Sequence, residues 1–155
     1  MKPLSTLFAV AIATTCHAQA PLPVQVFSGA KIQSQTAALI ASARASGSSG
    51  TKLGDYSSHT IEISVRTKSG GAEVHAHFDD IFLVTKGTAT LITGGTVIDP
   101  TAEKNGETKG RGIRGGRSQI LAKGDVVNIP AGTPHQLILA PGTIYASIVI
   151  KVREP

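Results

Sequence analysis

The chain has 155 residues, 41% hydrophobic and 16% charged, which reads as one globular domain with enough length for a real core. Fifteen Lys and Arg against ten Asp and Glu give +5, far short of a nucleic-acid-coating protein, and six aromatic side chains without Trp exclude a base-stacking platform. The single cysteine, Cys16, excludes an intramolecular disulfide framework and a multi-cysteine zinc ribbon.

Residues 1–20 read as a secretory signal peptide. Lys2 supplies a positive charge, Leu4 to Cys16 is mostly apolar or small, and Ala18-Gln19-Ala20 is a small-x-small cleavage site followed by Pro21. The apolar run is too short to span a bilayer, and Thr15 before Cys16 disfavours a lipoprotein signal. The expected mature chain, 21–155, has no cysteine and suits a periplasmic or secreted location.

Residues 21–50 are expected to hold one short helix and a linker. Ile32, Thr36, Leu39, Ile40 and Ala43 fall at helical spacing with Ser28 as N-cap, and Ala45-Ser-Gly-Ser-Ser-Gly50 reads as a linker or exposed loop. From Tyr56 the period becomes two: His59, Ile61, Ile63 and Val65 alternate with polar residues, which predicts a half-buried strand with His59 facing the interior. Further strands are expected at 73–77, 80–85, 88–93, 118–121, 125–129, 135–139 and 143–152, separated by Gly, Pro and Asp. Residues 51–155 therefore predict an all-β sandwich or barrel. The segment 99–117 is polar and Gly-rich, and reads as a flexible, solvated excursion. The competing reading is that its Arg111, Arg114 and Arg117 clamp an anion. Arg66 and Glu73 are expected to form a surface ion pair of little energetic weight.

Val74-His75-Ala76-His77 on a strand would set two imidazoles on one face, close enough to share a metal at about 2.0–2.1 Å. His-x-His alone is a weak signal. The pattern Gly124-x5-Pro130-x-Gly132-x2-His135 is rarer by chance, and it has a rationale: a turn into a strand, a tight turn, then a strand opened by His135.

His75-x-His77, an acidic residue and Gly87 resemble the first cupin motif, and Gly124 to His135 resembles the second, together spanning about residues 56–150. The resemblance implies a double-stranded β-helix, the cupin jelly-roll barrel, here with one short N-terminal helix. It also implies a divalent metal (Zn, Fe, Mn, Ni or Cu) held by His75, His77, Asp80 and His135. Cupins usually carry Glu at the carboxylate position. Spacing to Gly87 favours Asp80, whereas strand parity with His77 favours Asp79. Leu139 stands where many members have Asn. Phe82 and Val84 are expected to wall the pocket. His59 and Tyr145 are the candidate acid–base groups, each with an alternative as plain interior packing. The resulting expectation is an exported metal-dependent enzyme acting on a small molecule by oxygenase, isomerase or lyase chemistry. Its alternative is a non-catalytic cupin that binds a small ligand or metal. The expected partners are a small molecule and a second copy of the chain, with no nucleic acid and no membrane after cleavage.

Overall fold

The computed structural model describes residues 23–154, so the expected signal peptide and its cleavage site lie outside the described residues. Helix α1, Gly29–Ser46, starts where Ser28 Oγ accepts a hydrogen bond from the Lys31 amide. It ends at Gly47, whose left-handed backbone (φ 96°) returns an N–H to Ala43 O at 2.7 Å. The Thr67 hydroxyl donates to the same carbonyl at 2.7 Å, pinning the helix end to the sheet beneath it.

Of residues 45–50, expected as a linker, Ala45 and Ser46 end α1, Gly47 caps it, and Ser48 to Gly50 open strand β1, Ser48–Asp55, which pairs along its length with β2, His59–Arg66. The small residues that looked like a loop suit this edge position. A Cβ on Gly50 would stand 2.9 Å from Ile63 O, so the close approach of the two backbones needs glycine there.

The first sheet has the order β1-β2-β13-β4-β11, where β4 is Phe78–Lys86, β11 is Val126–Ile129 and β13 is Tyr145–Arg153. The second sheet combines β3 (Ala72–His75), β5 (Thr88–Thr93), β7 (Thr101–Ala102), β8 (Glu107–Gly110), β10 (Arg117–Ala122) and β12 (His135–Ile138) in the order β10-β5-β12-β3-β8-β7. A short ribbon of β6, Thr96–Ile98, and β9, Gly112–Arg114, completes the strands. All pairings are antiparallel, and the crossovers between the two sheets make the barrel expected from the sequence.

Two apolar clusters hold it together. Between the sheets lie Phe82, Val84, Ala89, Leu91, Leu121, Ile129, Leu137, Leu139, Tyr145 and Val149, all buried. The larger of these side chains each contribute roughly 1.5–3 kcal/mol on leaving water. Outside the first sheet, Ile63, Val65 and Ala146 pack with Ala43 of α1 and its neighbours Ile32, Leu39 and Ile40.

The second cluster reverses the expected facing of β2. Its apolar residues look outward to the helix, while Glu62, Ser64 and Arg66 line the barrel lumen. His59 shares the outward parity, so the expectation that it points into the barrel is corrected. Its ring stacks on Tyr56 at 4.7 Å, and its Nδ1 contacts Ser58 Oγ at 2.9 Å.

Two further expectations are revised. The strand carrying His75 stops at that residue, and Ala76-His77 form the turn into β4. Segment 99–117 is built into the sheets: β8 pairs with β3 and sets Glu107 opposite His75. Arg111 is exposed and paired with Asp99 at 2.8 Å, as a solvated side chain would be.

Candidate metal centre

The second-motif turn is tied to the first motif at two points. Gly132 N–H donates to His75 O at 2.8 Å, and Ala131 N–H donates to Asp79 Oδ1 at 2.7 Å. These bonds fix His135 at the start of β12, where its Cα is the register partner of Glu73. Asp79 is thereby spent on the turn, and it is Asp80, buried on β4, that reaches the histidines.

Within the lumen, nitrogen or oxygen atoms of Glu73, His75 and His135 all lie within 4.8 Å of one another. Asp80 Oδ2 stands 3.2 Å from His75 Nε2 and 3.7 Å from His135 Nε2. Each imidazole is oriented from behind. His75 Nδ1 faces the Glu107 carboxylate in a short contact, and His135 Nδ1–H donates to Thr133 O at 3.1 Å. With Nδ1 so engaged, the Nε2 lone pairs turn into the lumen, the arrangement that metal-binding imidazoles adopt.

Lys151 completes the cluster. It lies on the same face of β13 as Ser147 and Val149, and its Cα is the register partner of Asp80. Its Nζ donates to Asp80 Oδ1 at 2.8 Å and meets His75 Nε2 at 2.9 Å. Arg66 reaches Glu73 at 3.5 Å, and this pair lines the lumen instead of the surface.

Burial opposes a charged His75, yet Asp80 and Glu107 outweigh both burial and Lys151 and hold its pKa above the usual 6.5. Neutral His75 accepts from Lys151; protonated, it donates from Nε2 to Asp80. For His135, burial dominates and lowers the pKa, which keeps the ring neutral. Burial likewise works against the Asp80 charge, but His75 and Lys151 prevail and its carboxyl sits below 3.8.

The structure thus brings together His75, Asp80 and His135 from the expected set. His77 does not join them: it is exposed on the turn, with its ring beside Gly106. Tyr145 is fully buried in the core between the sheets, burial raises its pKa, and its hydroxyl has no hydrogen-bond partner among the described residues. Of the two expected wall residues, Phe82 lines the lumen and meets His135 edge-on at 6.4 Å, while Val84 is buried core.

Sequence reasoning missed Glu73, Glu107 and Lys151. Glu73-x-His75 has the same i, i+2 spacing as His75-x-His77. Lys151 continues the alternation of Tyr145, Ser147 and Val149. Glu107 had no local signal, because only the pairing of β8 with β3 brings it to His75.

These residues fit a divalent cation. Around the lumen, Glu62, Glu73 and Asp80 outnumber Arg66 and Lys151 by one negative charge, which favours a cation there. Three neighbouring side chains offering nitrogen and oxygen atoms suit a transition metal. The lumen is small, about 140 Å³. A larger groove of about 490 Å³ lies outside the barrel between α1 and the β4–β5 turn, and it contains none of these groups.

No family model matches the chain, and no curated protein does. Solved structures do match. A Klebsiella pneumoniae protein with a double-stranded β-helix domain aligns at 13% identity and TM-score 0.51, over 68% of this chain and 76% of that one. The Schizosaccharomyces pombe Cnp3 cupin domain aligns at 9% identity and TM-score 0.51, over 69% and 61%. The DMSP lyase DddQ of Ruegeria pomeroyi aligns at 15% identity and TM-score 0.50, over 68% and 46%. The chain has the double-stranded β-helix fold of the cupins.

Proposed function

We propose that the chain is an exported, mononuclear metal protein of the cupin type that acts as an enzyme on a small molecule. Glu73, His75 and His135 would hold a divalent ion, with Asp80 beside them. The observation that carries this reading is the shared orientation of His75 and His135: both have Nδ1 engaged from behind and Nε2 turned to a common point beside a carboxylate.

A bound ion would supply Lewis-acid chemistry and a coordination site for substrate. The chain's own groups do the rest. Glu107 and the Thr133 carbonyl fix the two imidazoles. Phe82, Leu137 and Val149 wall the lumen and exclude water from one side. Arg66 and Lys151 offer donors to an oxygen-bearing ligand, and the Arg66–Glu73 contact holds the guanidinium within the lumen. A lumen of about 140 Å³ suits a compact substrate. Exposed Val126, on edge strand β11, and its register partner Leu83 favour the association of two copies.

The test is metal analysis of the purified protein against a His75→Ala, His135→Ala double variant. Near-stoichiometric metal in the parent and loss in the variant are expected; equal, sub-stoichiometric metal in both overturns the reading. A turnover screen with small carboxylic and hydroxy compounds then separates enzyme from binding protein, since binding without turnover favours the non-catalytic alternative.

A further inference from the structure

The Lys151 ammonium stands where a metal would act. Its Nζ is 2.9 Å from His75 Nε2, on the lone pair that a metal ion would take, and 2.8 Å from Asp80 Oδ1. An ion bound to that nitrogen at about 2.0–2.1 Å leaves no room for an ammonium on the same lone pair. Nor is Lys151 a casual neighbour. Asp80 is 3% exposed, and a buried carboxylate without a counter-charge is strongly unfavourable. The β13–β4 register places Lys151 directly across from it. The lysine side chain itself is 25% exposed, so its flexible stem has a route toward solvent that Asp80 and His75 lack.

We propose that Lys151 is a resident cation of this centre: it neutralises Asp80 and covers His75 Nε2 in the metal-free protein, and must swing away for a metal ion to bind. This rests on the metal reading above and adds a competitor to it. Lys151 keeps the empty centre folded and weakens its hold on metal. Once displaced, the ammonium lies at the lumen, where it can meet an oxygen-bearing ligand.

The test is calorimetric titration of Zn²⁺ into chelator-stripped full-length protein, as wild type, Lys151→Met and Lys151→Arg, with thermal melts of each metal-free form. Lys151→Met is expected to bind Zn²⁺ at least about tenfold more tightly than wild type, and to melt lower when metal-free. Lys151→Arg keeps the charge and is expected to gain no affinity. Should Lys151→Met fold poorly, the comparison moves to Asp80→Asn against Asp80→Asn/Lys151→Met, where no buried charge is left bare. Tighter binding by the double variant supports the proposal. Equal or weaker Zn²⁺ binding after loss of the lysine overturns it while leaving the metal centre standing. Absence of binding by wild type and variants alike overturns the metal reading and this proposal together.

Discussion

Glu107 binds nothing in the lumen directly, yet it decides which nitrogen His75 presents. Glu107→Gln keeps the shape and loses the charge behind the ring, and is expected to lower metal affinity by about 10–100-fold with the fold intact. Circular dichroism and metal titration read the two effects separately. Asp80 makes a prediction about acid. Its carboxyl is held below 3.8 in the folded protein, so the unfolded chain takes up its proton first as pH falls. The stability it contributes is present above about pH 3.8 and is lost as pH drops through the lower folded value. Lys151→Met removes part of that depression, so acid unfolding of the metal-free variant is expected to begin at higher pH, as melts across pH 2–5 would show. Individual site residues were legible to different degrees. His75, Asp80 and His135 announced themselves by motif, whereas Lys151 required following a strand alternation two residues further than its last aromatic or apolar landmark.

Elements were easier to read than faces. Period two located β2, Gly, Pro and Asp punctuation located β4, β5, β10, β11, β12 and β13, and helical spacing with a Ser28 cap located α1, because those signals are local. What local signals could not say is which side of β2 meets the core. An apolar stripe means burial, but α1 buries Ile63 and Val65 from outside, so the polar stripe became the lumen. That reversal is why His59 was expected inside. The same tight contact gives a prediction: Ala43 is completely buried against the sheet, and Ala43→Leu is expected to cost about 1–3 kcal/mol in denaturant unfolding while leaving metal content unchanged. Strands β7, β8 and β9 were illegible for another reason. Their Gly, Lys, Glu and Ala residues have weak strand preference, and only neighbours distant in sequence hold them extended.

At the scale of the whole molecule, a metal that binds only the folded chain adds to its stability. At about 100-fold excess over Kd the gain is about 2.7 kcal/mol, which for a domain of this size raises Tm by roughly 5–10 °C. Differential scanning fluorimetry with and without chelator measures it, and no shift would count against a centre formed by folding. Sedimentation addresses association: a dimer is expected for the parent and a monomer for Val126→Glu, which places a charge on the β11 edge. Ordinary surface connections tolerate added or deleted residues. Segment 99–117 does not share that freedom, because β8 delivers Glu107 to His75 through strand register. A one-residue slip of β8 against β3 would turn Glu107 to the opposite face and leave His75 without its backing carboxylate. A stretch that looks like filler is therefore a measured spacer that carries a carboxylate to a fixed address.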